Sequence, residues 1–164
     1  MLGLIHRNAD LLLSLVNQIL DFRRLEFGNE KVNLSYGDIV STIGDICDTF
    51  RLKARQEGIS LDFQPMVERV ETQFDRDKMT KIIMNLLANA FKFTDRGGSI
   101  TVSTDVLDGH VVIRVADTGI GISDEEKQLV FDRFYQSDNA HLQAIGSGIG
   151  LHIVREYVHL QGGE

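Results

Sequence analysis

The sequence contains few of the residues that cross-link a chain, interrupt its secondary structure or anchor it in a membrane. It has one cysteine and one proline among 164 residues, and no apolar run approaches the roughly 20 residues of a membrane-spanning helix. The lone Cys47 excludes an intramolecular disulfide and a cysteine-based metal cluster. The N-terminus has no basic flank and cleavage site of a signal peptide. We therefore expect a soluble piece, and a single cysteine fits a cytosolic compartment.

Basic residues are also scarce and scattered. Lys and Arg number 17 against 24 Asp and Glu, which gives a net charge of -7. No run of Lys and Arg offers the electrostatic footprint of nucleic-acid binding, so DNA and RNA are not expected partners. Hydrophobic residues at 43% and charged residues at 25% are ordinary for a globular protein. The length fits one buried domain with a short appendage.

The first segment, residues 3–27, predicts one long helix. Its apolar residues repeat at helical spacing in two interleaved rows, and Gly28 and Asn29 follow as a helix stop. The rows are Leu4, Leu11, Leu15, Phe22 and Leu25, and Ile5, Leu12, Val16 and Ile19. An apolar face this wide predicts a helix taken from a bundle. The alternative is a helix that packs on its own domain.

The rest of the chain interleaves predicted helices with predicted strands. Helices are predicted at 38–57, 75–93, 123–134 and 151–160, and strands at 32–35, 60–64, 70–74, 99–107 and 110–116. The pair Asp108-Gly109 predicts a tight turn between the last two strands. This order predicts an α+β fold, a two-layer sandwich in which one mixed sheet carries helices on a single face.

One predicted helix carries polar side chains opposite its apolar face. Asn85, Asn89 and Lys92 are spaced i, i+4 and i+7, within an arc of roughly 60° around the helix axis. The Asn89 carbonyl oxygen can ligate a hard cation such as Mg²⁺, and Lys92 can neutralise a phosphate. Taken alone, a solvated polar face is the simpler interpretation.

Two glycine-rich segments follow. In residues 117–121, Gly119 and Gly121 let the backbone approach a ligand, and Asp117 can accept a hydrogen bond from an amino group such as that of adenine. An ordinary turn between strand and helix is the alternative. Residues 146–151 can present backbone N–H groups to phosphates at the start of the last helix. The polar residues 137–144 between them predict a mobile lid.

Four segments, in this order, resemble the N, G1, F and G2 boxes of the Bergerat-fold ATP-binding domain of bacterial sensor histidine kinases. They are residues 85–94, 117–121, 131–134 and 146–151. The resemblance covers about residues 30 to 163. Residues 1–28 resemble the second helix of the dimerisation and histidine-phosphotransfer domain. The amino-acid sequence is also similar to those of hybrid two-component sensors of Bacteroides-type bacteria.

The resemblance implies roles for the residues of the first two boxes. Asn89 would bind Mg²⁺ with support from Asn85, and Lys92 would contact phosphate. Phe93 would border the base, and Asp117 would accept from the adenine amine. Gly119 and Gly121 would then shape the base pocket.

The later boxes would hold the phosphates and the lid. The G2 residues implied to surround the phosphates are Gly146, Ser147, Gly148, Ile149, Gly150 and Leu151. Arg133 would reach the nucleotide or the phosphoacceptor helix, or else form a structural ion pair. Phe131 and Phe134 are expected to anchor the lid rather than to contact ATP.

The implied reaction is transfer of the γ-phosphoryl of Mg-ATP to a histidine, for relay to a response-regulator aspartate. The implied partners are ATP, the protein's own dimerisation and phosphotransfer domain in a homodimer, and a receiver domain. The implied location is the cytoplasmic part of an inner-membrane-anchored sensor, without direct membrane contact by these residues. The alternatives are another Bergerat-fold ATPase, in which glutamate typically replaces Asn85 to activate water, and a non-catalytic nucleotide-binding or dimerisation module.

The sequence departs from the family in two ways. None of its five histidines lies in the family's acceptor motif, His-Glu/Asp-x-Arg-Thr-Pro, and Pro65 is far from each of them. His110 is expected in a strand, and His141, His152 and His159 are expected in the lid or on helix surfaces. We expect residues 29–164 to form a catalytic domain that stops before its final strand pair.

Overall fold

The computed structural model describes residues 2–28, 30–136 and 147–164. The helices in these ranges are α1 (Leu2–Glu26), α2 (Ile39–Thr49), α3 (Arg51–Glu57), α4 (Arg76–Phe93), α5 (Asp124–Lys127) and α6 (Gly150–Leu160). The strands are β1 (Ser35–Asp38), β2 (Ser60–Pro65), β3 (Glu71–Phe74), β4 (Ser99–Leu107) and β5 (His110–Asp117). These elements fall into two compact units, Val32–Ile122 and the remainder, Met1–Lys31 with Ser123–Glu164.

The Val32–Ile122 unit contains the sheets. Strand β4 is central, with β2 parallel on one side and β5 antiparallel on the other. Along β4, Ile100, Val102 and Thr104 are fully buried, and the residues between them lie on the more solvated face. This period of two confirms the predicted half-buried hairpin and the mixed sheet. A separate antiparallel pair, β1 with β3, was not predicted as a second sheet.

Helix α4 supplies much of the buried apolar surface of this unit. Its inward residues recur every three or four positions, so that one face of the helix is apolar. They are Met79, Ile82, Ile83, Leu87, Ala90 and Phe91. The helix begins after Asp75, whose side chain accepts a hydrogen bond from the Lys78 N–H, and it ends at Thr94. Both ends of the helix that carries Asn85, Asn89 and Lys92 are therefore fixed.

The predicted helix over 38–57 is two helices. The break falls at Phe50, whose N–H donates to the carbonyl of Cys47, three residues back, rather than continuing the α-helical pattern. Its ring stacks on Phe91 of α4, with 5.7 Å between ring centroids. The ring contact with another helix accounts for a break that helical periodicity does not show.

The bounds of two other elements differ from the predicted ones. Strand β1 lies at Ser35–Asp38 rather than at 32–35, because its residues pair with β3 from Ser35 opposite Phe74 to Asp38 opposite Glu71. The helix predicted over 123–134 is wrong beyond its first turn. The Ser123–Glu126 capping box is present, but α5 buries none of its residues and ends at Lys127. A helix start without an apolar face lacks the packing that would extend it.

The second unit contains α1, α5 and α6. Phe22 of α1 is buried and packs edge-on against Phe134 and against His152 of α6, at 5.5 and 5.9 Å between ring centroids. His152 is therefore a buried residue rather than the helix-surface residue that the sequence predicts. In the described ranges, no helix combines the length and apolar character needed to cross a membrane.

The thiol of Cys47 is predicted to be almost inert in the folded chain. Burial raises its pKa to about 11, from an ordinary value of 9.0. At pH 8 we expect alkylation to be on the order of a hundredfold slower in buffer than in denaturing urea, because so little thiolate is present. Since the folded pKa is the higher one, this group's contribution to stability is complete below pH 9 and is lost as the pH rises towards 11. Equal labelling rates in buffer and in urea would contradict the prediction.

Candidate functional site

The polar face of α4 carries the three predicted N-box side chains. Asn85 is anchored, because its amide nitrogen donates to the Lys81 carbonyl at 2.8 Å. Asn89 is half-buried one turn later, and its side-chain amide makes no hydrogen bond to any described residue. The helix therefore offers an unengaged amide oxygen at Asn89 and a tethered amide at Asn85.

Lys92 lies at the last turn of the same helix. Its ammonium nitrogen sits 4.7 Å from the centroid of the Phe93 ring, a cation–π distance. Burial lowers the pKa of Lys92 below its ordinary value. Desolvation favours the neutral amine, so an anion placed beside Lys92 would relieve that cost by favouring the charged form.

The turn that follows β5 lies directly against the C-terminal end of α4. The Gly119 N–H donates to Asp117 Oδ1 at 2.9 Å, and the Ile120 N–H approaches the Phe93 carbonyl at 3.4 Å. A Cβ atom added at Gly119 would stand only 2.3 Å from the Phe93 oxygen. Glycine at 119 thus permits a backbone contact that joins the predicted base-binding turn to the predicted phosphate-binding helix.

Asp117 itself is exposed at the end of β5. One carboxylate oxygen is occupied by the Gly119 N–H, and Oδ2 has no hydrogen-bond partner among the described residues. Gly121 follows with φ +72°, and a Cβ there would meet nothing within 4 Å. The turn therefore presents a carboxylate acceptor beside open space, which suits an amino-group donor.

The arrangement fits a magnesium site built around phosphate rather than around protein carboxylates. Within the described ranges, no group of three or more His, Cys, Asp or Glu side chains is placed to hold a metal. Mg²⁺ in nucleotide sites keeps waters and phosphate oxygens as ligands and needs few from the protein. The free amide oxygen of Asn89 meets that requirement.

The second unit holds the described part of the G2 segment. Ser147 Oγ donates to Gln18 of α1 at 2.5 Å and accepts from the Ile149 N–H at 3.2 Å. Gly148 has φ +67°, and a Cβ there would lie 2.8 Å from the Phe134 backbone, so glycine is required. Gly150 begins α6, with Leu151 in its first turn. Gly146 lies outside the described residues.

The F-box residues are tied to α1 and to the G2 segment. Arg133 forms an ion pair with Glu26, with 3.0 Å between Nη1 and Oε1, and its guanidinium lies 5.6 Å from the Phe22 ring centroid. This ion pair corresponds to the second of the two interpretations of Arg133, and contact with the nucleotide or the phosphoacceptor helix stays a prediction. The Phe134 N–H donates to the Gly148 carbonyl at 3.0 Å, which fits an anchoring role. Phe131 is 37% exposed.

Sequence reasoning missed three contacts that support these residues. Asp75 and Lys78 form a buried ion pair at the start of α4. The hydroxyl of Thr118 accepts a hydrogen bond from the Ser99 N–H, and the Phe93 carbonyl accepts one from the Ile120 N–H in the turn after β5. The Asp-x-x-Lys spacing was the one visible signal, since i,i+3 residues are neighbours on a helix. The other two contacts join residues far apart in sequence and leave no periodic trace.

Comparison with known proteins identifies the family. A family profile described as histidine kinase-, DNA gyrase B- and HSP90-like ATPase matches residues 74–164. The match covers more than half of the chain, from the last residue of β3 onward. The chain belongs to this ATPase family, as the resemblance of its four boxes predicted.

Individual relatives narrow the class further. Hybrid signal transduction histidine kinase D of Dictyostelium discoideum is 37% identical and covers 99% of this chain, which corresponds to 11% of that protein. Histidine protein kinase DivJ of Caulobacter vibrioides is 34% identical over 98% of the chain and 27% of its own length. The crystal structure of full-length ShkA in complex with AMPPNP superposes with a TM-score of 0.82 at 28% identity, over 98% of this chain and 33% of ShkA.

These similarities extend over almost all of the chain but only part of each relative. The chain spans between about a tenth and a third of the length of these proteins. The ShkA superposition confirms the predicted α+β fold class.

Proposed function

We propose that this chain is the ATP-binding catalytic domain of a sensor histidine kinase, together with a helix of its dimerisation and phosphotransfer domain. It would transfer the γ-phosphoryl of Mg-ATP to a histidine imidazole, from which a response-regulator receiver domain takes the phosphoryl group on an aspartate. Family membership and the named histidine kinase relatives support the class of reaction. The contact between the Asp117 turn and the end of α4 is the observation that carries the proposed site.

Asn85 favours a kinase over a hydrolytic member of the same family. Water activation needs a general base within reach of the nucleophile. A neutral amide cannot accept that proton, and the Asn85 side chain is also held by the Lys81 carbonyl of its own helix. A site without this base protects the γ-phosphoryl from water until an imidazole attacks it. The attacking imidazole must be neutral, because only then does it have a free lone pair.

The residues of the Val32–Ile122 unit divide between base and phosphate. We assign the adenine amine to Asp117, the edge of the base to Phe93, and the space beside the base to Gly119 and Gly121. Asn89 holds Mg²⁺ through its amide oxygen, with Asn85 in support. The metal, when bound, neutralises phosphate charge. Lys92 does the same from the protein, and its lowered pKa indicates an ammonium that gains from an anionic neighbour.

The G2 segment is assigned to the phosphates on the basis of its sequence motif and its local geometry. Residues Gly146, Ser147, Gly148, Ile149, Gly150 and Leu151 precede or begin α6, whose first N–H groups have no intrahelical acceptor. Its cap residue, Ile149, provides no side-chain hydrogen bond to those groups. Phosphate oxygens are therefore suitable acceptors.

We propose that residues 1–28 and residues 29–164 belong to different domains of the whole protein. Helix α1 leaves large apolar side chains in solvent, as a bundle helix does when it is seen apart from its neighbours. These are Leu12, Leu13, Val16, Ile19 and Leu20, which are 45–65% exposed. We infer that they pack in a homodimeric bundle, and that the acceptor histidine belongs to that bundle in a cytoplasmic region of an inner-membrane sensor.

Calorimetric titration with Mg-ATP and Mg-ADP tests the proposed site. We expect the unmutated chain to bind both, and Asn89→Ala and Asp117→Ala each to weaken binding by about tenfold or more, because each removes a contact to a charged or donor group. Asn89→Ala should also remove the dependence on Mg²⁺. Asp62→Ala, an exposed carboxylate on β2, is the matched control and should bind normally.

The kinase assignment needs a second measurement. A separate helical bundle with a histidine-kinase acceptor histidine is incubated with the chain and γ-labelled ATP. Label is expected on the bundle and not on the chain, and Asn89→Ala should abolish it. Nucleotide binding that ignores both substitutions, or label that appears only as free phosphate, would contradict the proposal.

A further inference from the structure

The antiparallel pairing of β4 with β5 continues one residue beyond the ladder. The last pair of the ladder is Ile100 opposite Asp117. Beyond it, the Thr118 N–H donates to the Ser99 carbonyl at 3.0 Å, and the Ser99 N–H donates to the Thr118 hydroxyl at 2.9 Å. The Thr118 hydroxyl thus accepts the second hydrogen bond of this pair, in the place of the backbone carbonyl that accepts it in a regular antiparallel ladder.

This side-chain bond fixes the start of the turn that bears the Asp117 carboxylate. Asp117 precedes Thr118, and its Oδ1 accepts from the N–H of Gly119, the residue after Thr118. On the far side, the Ile120 N–H reaches the Phe93 carbonyl at 3.4 Å. The turn is therefore held at one end by Thr118 on Ser99 and at the other by Ile120 on Phe93.

The surroundings of the Thr118 hydroxyl make this contact specific. A Cβ atom at Gly98 would lie 2.9 Å from Thr118 Oγ1, so glycine at 98 leaves the space that the hydroxyl uses. Thr118 is otherwise exposed, and its bond from Ser99 is the one that its hydroxyl makes among the described residues. Removal of the hydroxyl would release the side chain and leave the Ser99 N–H without this acceptor.

We propose that Thr118 is a positioning residue that sets the preference of the site for a base with an amino group. By fixing the turn, it holds the Asp117 carboxylate with Oδ1 engaged by the Gly119 N–H and with Oδ2 left to accept from the amine. A base with a carbonyl at the same position offers no exocyclic donor there, so the fixed carboxylate favours the amino base. This inference rests on the proposed nucleotide site.

The test compares ADP with inosine diphosphate, which carries a carbonyl where adenine carries its amino group. Calorimetry on the 164-residue chain gives the dissociation constants of both nucleotides for the parent, Thr118→Val and Thr118→Ser. Valine keeps the shape and removes the hydroxyl, and we expect ADP to bind about fivefold more weakly while inosine diphosphate is unchanged. Serine restores the hydroxyl and should return ADP affinity to within about twofold of the parent.

Thr104→Val is the matched control. The Thr104 hydroxyl is fully buried in β4 and has no hydrogen-bond partner among the described residues, so its loss should leave both affinities unchanged. An unchanged ADP preference in Thr118→Val would overturn the inference, as would an equal loss for both nucleotides, which indicates a merely structural role. If the unmutated chain binds neither nucleotide, the proposed function itself fails and this inference fails with it.

Discussion

Gly119→Ala is expected to weaken Mg-ADP binding by about a hundredfold, because an added methyl group cannot fit between the turn and α4. The new Cβ would lie 2.3 Å from the Phe93 oxygen and 2.8 Å from Asp117 Oδ1. The turn must move away from Phe93, which carries the Asp117 carboxylate with it and opens the contact of the Ile120 N–H. Calorimetric titration of the variant measures the loss.

The control separates a shifted site from a weakened fold. Gly109 lies in the turn between β4 and β5 with φ +79°, and a Cβ there meets nothing within 4 Å. Gly109→Ala should lower the free energy of unfolding by about 1 kcal/mol through backbone strain alone. It should leave ADP affinity unchanged. Near-parental binding by Gly119→Ala would show that the close contact is not needed for the site.

Asp75→Asn is expected to lower the free energy of unfolding by about 3 kcal/mol, because it removes the carboxylate that pairs with the buried Lys78 ammonium. The two side chains are each 3% exposed and lie 3.2 Å apart, and the Asn33 N–H also donates to the carboxylate at 2.8 Å. Urea unfolding followed by circular dichroism measures the effect. Asp77→Asn, on a side chain 75% exposed in the same turn, should change stability by less than about 0.5 kcal/mol.

The ion pair also predicts a pH dependence. Burial alone would raise the pKa of Asp75, but hydrogen bonds from Asn33 and Lys78 and the Lys78 charge outweigh it and hold the pKa below its ordinary value. A lowered folded pKa gives stability that is complete above about pH 4 and is lost as the pH falls through the folded value. In the double variant Asp75→Asn, Lys78→Met, the free energy of unfolding should fall less steeply at low pH than it does in the parent. The double variant should also regain much of the stability lost by Asp75→Asn alone. If the double variant and the parent lose equal stability at low pH, that loss belongs to other carboxyl groups.

Local signals explain which predictions agree with the structure. The bounds predicted for β4, 99–107, coincide with the strand, because strict alternation and the Asp108-Gly109 turn define both its face and its end. Asp108 and Gly109 both have positive φ, as a type I′ hairpin turn requires. The predicted helix 75–93 also agrees to within one residue at its start, since a cap and a sustained apolar period mark it.

Predictions failed where distant contacts decide the outcome. The predicted helix over 38–57 is interrupted at Phe50 because the Phe50 ring stacks on Phe91, which lies 41 positions later. Strand β1 is placed by pairing with β3, and α5 stops because no apolar surface accompanies its capping box. Each outcome depends on a partner that neighbouring residues do not specify.

The sequence by itself determined the family, the α+β class and the identity of the candidate residues, because motif spacing and periodicity are properties of neighbouring positions. Only the tertiary structure decided how those residues are held. It brought Gly119 onto the Phe93 carbonyl, gave Ser99 the hydroxyl of Thr118, buried Lys78 with Asp75, and directed Arg133 to Glu26. These contacts join residues brought together by packing, and packing is fixed by the whole chain rather than by any one segment.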